Sequence, residues 1–153
     1  MESSNGPTQQ DSKGIQVGIS PVTTMDDFNR LVPEVMPHIE KALSYTPECS
    51  VESTLQRIAD GYAVLWVISN SYGKHKGVVV TEIKRYPNFD VAVGHLCGGE
   101  DIDEWIHLLS EIEDWAKRQG CRRFEIQGRK GWAKKLPSDY KTDAVVYAKE
   151  FLQ

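Results

Sequence analysis

Two short stretches hold most of the side chains that could do chemistry. In Cys97-Gly98-Gly99-Glu100-Asp101-Ile102-Asp103-Glu104 a glycine pair leaves an apolar run and enters a periodic segment. Glycines let backbone come close to a ligand and the free amides of a helix start attract anions, so the geometry suits a phosphate. Four carboxylates crowd the same turn and oppose one. In Gly128-Arg129-Lys130-Gly131-Trp132, two cations sit between glycines. They could meet a phosphate, a carboxylate or an acidic patch on a partner; solvated loop charges are the plainer account.

Proton transfer has its own candidates. Glu82 stands in an otherwise apolar run and could act as a general base or hold an amine, or it is simply a solvent-facing carboxylate. His95 precedes the glycine pair, and an imidazole that is neutral near pH 7 suits proton abstraction; a hydrogen-bonded structural His is the alternative. No His/Asp arrangement marks Cys97 as a nucleophile, so it reads as an inert buried thiol. Tyr140 and Tyr147 offer hydroxyls or aromatic packing. Trp66, Trp105, Trp115 and Trp132 sit at periodic positions and read as core packing, with Trp132, which follows the glycine-rich turn, the one that could instead cover a groove.

Other chemistries lack their signatures. His38, His75, His95 and His107 show no HExxH or similar ligand spacing, so no metal site is expected. There is no Walker motif and no GxGxxG. Cys49, Cys97 and Cys121 form no CxxC and leave one unpaired in any disulfide scheme, which fits a reducing compartment. No apolar run reaches the roughly 18 residues of a membrane span, and no basic-then-apolar leader opens the chain. A net charge of −4 argues against a general nucleic-acid partner, although residues 117–141 carry nine basic residues against two acids.

The elements that must position these residues follow from periodicity. Residues 1–14 are polar and aperiodic, a flexible tail; residues 15–153 suffice for one domain. Ile15, Val17 and Ile19 alternate as a short strand. Thr24 and Asp27 resemble a helix start, and the apolar spacing runs on to Leu43, with Pro33 and Pro37 expected to kink or divide the helix. A second helix spans 50–60. Apolar strands at 63–68, 77–83 and 89–97 form an antiparallel meander. From Asp103, Trp105, Leu108, Leu109, Ile112, Trp115 and Ala116 make one helical stripe, with Asp101 and Glu104 as a capping box. Glu113–Lys117 and Asp114–Arg118 are expected i,i+4 pairs. A strand at 122–127, a short helix at 130–136 and a last strand at 143–149 complete an α/β (α+β) chain. The order is β-α-α-β-β-β-α-β-α-β, a mixed central sheet with helices on both faces, and the crossover through the long helix makes its flanking strands parallel.

This order resembles the GCN5-related N-acetyltransferase (GNAT) fold, and more closely small GNAT-like proteins of tailed bacteriophages. The segments carrying the likeness are Gly61-Tyr62-Ala63-Val64-Leu65-Trp66-Val67, Val80-Thr81-Glu82-Ile83, Glu104-Trp105, Trp115-Ala116-Lys117-Arg118-Gln119-Gly120-Cys121, Gly128-Arg129-Lys130-Gly131-Trp132 and Lys149-Glu150-Phe151. The resemblance implies transfer of an acetyl group from acetyl-CoA to a small amine, a protein lysine or an N-terminus. It places Glu82, His95 and Tyr140 among the catalytic candidates. It places Leu96, Cys97, Gly98, Gly99 and Arg129 against the cofactor. The family's Arg/Gln-x-x-Gly-x-Gly/Ala loop falls at His95–Glu104, where the basic or amide residue and the regular glycine spacing are missing. The family's tyrosine acid falls near Lys135, so that Tyr140 looks like the aromatic of the following turn. The likeness implies a host-cytoplasmic enzyme, or a binding or virion-associated protein of the same fold whose cofactor loop has degenerated.

Overall fold

The computed structural model describes the backbone of Gln9–Gln10 and of residues 16–152, and side chains from 16 to 152 except that of Lys130. Six strands lie in chain order in one sheet: β1 (Gln9–Gln10), β2 (Gln16–Pro21), β3 (Val64–Asn70), β4 (His75–Arg85), β5 (Asp90–Gly99) and β6 (Arg123–Ile126). Neighbours from β1 to β5 are antiparallel, and β5 and β6 are parallel. Apart from Gln9–Gln10, which pair with β2, the expected tail at 1–14 lies outside the described residues. Ile15 of the first expected strand does too.

Two apolar layers sandwich the sheet. On one face Val35, Ile39 and Leu43 of α1 (Met25–Leu43), with Ile58 of α2 (Val51–Ala59), cover Leu65, Val67, Val78, Val80 and Leu96. On the other, Leu109 and Ile112 of α3 (Leu109–Arg118), with Trp105, Leu108 and Trp132, cover Val17, Ile19, Trp66, Ile68 and Val79. The alternation of Val78, Val79 and Val80 between layers is the period of two that a strand imposes. Caps fix both entry helices. Thr24 Oγ1 accepts the Asp27 amide at 3.1 Å, and Ser50 and Ser53 form a reciprocal capping box.

The structure corrects four sequence expectations. First, α1 runs unbroken through Pro33 and Pro37. The two prolines are four apart on the exposed face, so the carbonyls they leave unbonded look toward water. Second, the long helix starts as two 3-10 turns, Ile102–Glu104 and Ile106–Leu108, and no Asp101–Glu104 capping box forms. Trp105 interrupts the helix because its fully buried indole donates to the Glu100 carbonyl at 2.9 Å, which pins the turn. The apolar stripe survives, although Glu113 accepts the Tyr140 hydroxyl instead of pairing with Lys117. Third, the helix at 130–136 is a 3-10 turn, Lys130–Lys134. Fourth, residues 143–149 form no strand and are exposed.

Glycines settle how closely β4 and β5 pack. A Cβ on Gly99 would lie 2.3 Å from the Lys76 carbonyl oxygen and 2.6 Å from the Gly77 Cα, both backbone atoms that cannot swing aside. Gly99→Ala is therefore expected to cost about 2–3 kcal/mol by overpacking, whereas Gly18→Ala, which meets nothing within 4 Å, should stay within about 0.5 kcal/mol. Urea denaturation of the two variants decides this; equal midpoints would refute the close approach.

Candidate active site

The site begins with one extra residue. Val80 pairs with Leu96 and Thr81 with Gly94, so His95 is a bulge in β5. A bulge bends its strand and re-aims a side chain. β6 follows β5 only from Val91↔Arg123 to Gly94↔Ile126, with a last bond from the Gln127 amide to the Gly94 carbonyl. β5 then continues to Gly99 with no strand on that side among the described residues. The two strands part, and the backbone edge of Leu96–Gly98 is open.

Beside that edge lies a cleft of about 280 Å³. Cys97 and Gly98 form its floor, Lys41 of α1 and Tyr45 just beyond it one wall, and Arg129, Trp132 and Lys135 the other. Asp101 is the one carboxylate in its lining, against the three cations Lys41, Arg129 and Lys135. A cavity of this size is at the lower bound for a drug-sized ligand and suits one segment of a longer molecule. A second hollow of about 480 Å³, beneath the start of α1, has no titratable side chain in its lining.

The four crowded acids are each drawn onto a lysine. Glu100 pairs with Lys74 at 3.5 Å, Asp101 with Lys76 at 2.6 Å, Glu104 with Lys76 at 3.4 Å and Asp103 with Lys135 at 3.0 Å. Lys76 is only 6% exposed. Its hydrogen bond to Asp101 outweighs burial and holds the ammonium above its ordinary pKa. Asp101 adopts a left-handed backbone, φ 53°, the one non-glycine residue with positive φ among the described residues. The repulsion expected from the sequence is thus largely neutralised within the turn.

A second group gathers around the bulge. Arg57 of α2 grips Glu82 with two hydrogen bonds, 2.9 and 2.7 Å, and also lies over the Tyr62 ring. Glu82 Oε2 stands 3.2 Å from His95 Nε2, at an angle that makes no hydrogen bond, and that buried nitrogen has no other partner in hydrogen-bonding geometry among the described residues. Burial alone would raise the Glu82 pKa, but Arg57, with His95, holds it below the ordinary value of 4.5. Burial lowers that of His95 below 6.5, against the pull of Glu82, so the imidazole is neutral at pH 7.

Both shifts have one sign. The unfolded chain binds more protons than the folded one, so stability rises with pH. Stability contributed by neutral His95 is complete above pH 6.5 and is lost as pH falls below it; that of Glu82 is lost at lower pH, below 4.5. Urea melts at pH 7, 5.5 and 4 should show this loss in sequence, with His95→Asn removing its earlier part. A flat profile between pH 7 and 5 would count against the burial of a neutral imidazole.

The structure joins some sequence candidates and separates others. Glu82 and His95 come together, with Glu82 committed to Arg57. Cys97, Gly98, Gly99, Arg129 and Trp132 come together around the cleft. Leu96 turns its side chain into the α1 layer and leaves only its backbone to the open edge. Cys97 is no nucleophile, since burial pushes its thiol up to about 12. Arg129 stacks on Tyr45, 3.9 Å from the ring centroid. Gly98 accommodates α1, because a Cβ there would lie 3.2 Å from Ala42 Cβ. Tyr140 stands apart: it packs edge-on against Phe124, its hydroxyl is hydrogen-bonded to Glu113, and burial with that bond raises its pKa.

Sequence reasoning missed Lys76, Arg57, Lys41 and Tyr45. Lys76 had a signal: a lysine entering an apolar strand needs a carboxylate to join it. Among the described residues no group of three or more His, Cys, Asp or Glu could hold a metal ion, and no helix is long and apolar enough to cross a membrane.

No family model and no curated protein matches the chain. Solved structures do. An aminoglycoside acetyltransferase from an uncultured soil metagenomic sample, in complex with sisomicin, has a TM-score of 0.64 at 11% identity, over 89% of this chain and 97% of that one. A GNAT family acetyltransferase of Staphylococcus aureus gives 0.63 at 13%, over 88% and 99%. A ribosomal-protein-alanine N-acetyltransferase from Brucella melitensis gives 0.62 at 14%, over 88% and 99%. At these identities the likeness shows the fold, which is that of the GNAT acetyltransferases.

Proposed function

We propose that this GNAT-fold chain is an acyl-CoA-dependent N-acyltransferase that moves an acetyl group to an amine. The observation that carries the reading is the parting of β5 and β6 after the His95 bulge, which opens a cation-lined cleft along a free strand edge. The donor set suits acetyl-CoA. An open edge at Leu96–Gly98 can pair with a ligand chain that carries amides, as strand addition does. Lys41 and Arg129 offer charge to phosphates, whereas Lys135 is held by Asp103. When bound, the thioester supplies the acyl group and a thiolate leaving group.

The chain's own residues would then do three things. The strand edge and the cations orient the donor. Trp132 shields the cleft from water. His95, neutral, takes the proton from the attacking amine at Nδ1, while Nε2 faces Glu82, which stabilises the imidazolium as it forms. Along an extended strand His95 lies about 7 Å before Cys97, within reach of a substrate seated in the cleft. Arg57 holds Glu82 ionised and in place. Tyr140 has no part in this scheme.

The acceptor remains an amine class, and two of the structural neighbours supply the trial set: aminoglycosides and protein N-termini. Release of free thiol from acetyl-CoA, followed with each amine, tests the reading. At least one amine should accelerate release and gain an acetyl group; release that no amine alters would sink it. The likeness to tailed-phage proteins rests on the sequence segments and would place the enzyme in the host cytoplasm.

One observation favours a second reading, a binding or virion-associated protein of the same fold. Gly98 and Gly99 are occupied by Ala42 and by the β4 backbone, so the glycine pair serves packing. On that reading the cleft takes no acetyl-CoA.

A further inference from the structure

The second hollow, about 480 Å³, is larger than the cleft and shares no lining residue with it. Protein interiors hold few voids larger than a water molecule, so a space of this size is not a packing fault. The hollow lies under the start of α1, whereas Lys41 of the cleft stands near the end of that helix. From Met25 to Lys41 the helix rises about 24 Å.

Its lining draws on β2 at Pro21, α1 at Met25 and Phe28, α2 at Ile58, β3 at Val64 and α3 at Trp115. Local contacts hold these walls apart. The Val22 amide donates to the Leu65 carbonyl at 2.8 Å, which ties the link between β2 and α1 to β3. The Gly61 amide donates to the Ile58 carbonyl at 3.1 Å, and Gly61 takes the left-handed φ of 83° that leads out of α2. Trp115 is set edge-on against Trp66, 5.6 Å between ring centroids. Closing the space would break these contacts, and a preformed pocket spares its ligand the cost of ordering the walls. Met25 is nonetheless 55% exposed and Phe28 half-buried, apolar surface left wet at the mouth.

The lining also selects by charge. With no titratable side chain in it, its polar side-chain groups are the Thr23 and Thr24 hydroxyls and the Trp115 indole N–H. All three can donate. Thr24 Oγ1 accepts the Asp27 amide, which leaves its own O–H to give. A cation finds no carboxylate in this lining. An anion would meet the first turn of α1, where Asp26 and Asp27 already stand. We propose that the hollow under α1 is a binding site for a neutral, largely hydrocarbon small molecule with an acceptor oxygen, such as an alcohol, ketone or ester. Its volume lies within the range of small-molecule pockets, and it does not depend on what the cleft binds.

Octanol, octanoate and octylammonium carry one chain with three head groups. Each is titrated into the full chain while the Trp115 indole N–H is followed by NMR, its resonance assigned with Trp115→Phe. Octanol should shift that resonance saturably, with a Kd of about 0.1–1 mM for so small a ligand. Both ions should bind at least tenfold more weakly. Ala59, exposed on the last turn of α2, lies in the lining, so Ala59→Phe fills the space without disturbing the core. That variant should keep its far-ultraviolet spectrum and bind octanol at least tenfold more weakly. The proposal is overturned by an octanol shift that is absent or does not saturate, by ions that bind as tightly as the alcohol, or by a folded Ala59→Phe chain of wild-type affinity.

Discussion

Lys76→Met should lower stability by about 2–4 kcal/mol, with thermal unfolding shifted down by roughly 4–16 °C. Methionine keeps the length and the apolar stem and removes the charge alone. Lys76 reaches both Asp101 and Glu104, and its side chain is 7% exposed. Breaking a buried ion pair usually costs about 3–5 kcal/mol; the half-exposed Asp101 carboxylate, which water can reach, brings the figure down. The triple variant Lys76→Met, Asp101→Asn, Glu104→Gln removes the acids' charges as well and should recover part of the loss. Calorimetric melts of the two variants check this. A Lys76→Met melt within a degree of wild type would mean that the acids do not depend on it.

His95→Ala should lower kcat by about 10²–10⁴-fold, the span of general-base catalysis, while changing acetyl-CoA affinity less than threefold. The imidazole sets Nε2 against Glu82, which leaves Nδ1 for the proton, and its side chain does not line the cleft. Glu82→Gln should act in the same direction but more weakly, because the carboxylate touches no proton that moves and supports only the charged imidazole. In wild type, kcat/KM should fall on the acid side as His95 takes up a proton below its ordinary 6.5. The inverse pattern, weaker cofactor binding with turnover kept, would remove His95 from the base role.

Most of the fold was legible because it rests on periodicity. The apolar runs of β3 to β5 and the stripe from Trp105 to Ala116 come from side-chain hydrophobicity alone, and both are buried in the two layers. What the sequence hid depends on contacts across the fold. Pro33 and Pro37 read as a kink or a division, and the helix is not divided because both face water. Asp101 and Glu104 read as a cap because Lys76, 25 residues from Asp101, cannot be placed without the sheet register. The strand expected at 143–149 has the right residues, but in the structure it is exposed and pairs with no strand. The site divided in the same way: Glu82, His95 and the Cys97–Gly99 edge were visible as chemistry, whereas the lysines that neutralise the acidic turn and the arginine that holds Glu82 were not.

With its acids paired, the turn would leave a cleft fit for a charged thioester. Isothermal titration of the full chain with acetyl-CoA tests it most directly. The account predicts saturable binding of one ligand per chain, with a Kd between about 1 μM and 1 mM, the range of enzyme substrates. It predicts at least tenfold weaker binding for Arg129→Ala combined with Lys41→Ala. Absence of any heat at millimolar acetyl-CoA would contradict the account and leave the GNAT fold here as a scaffold for binding alone.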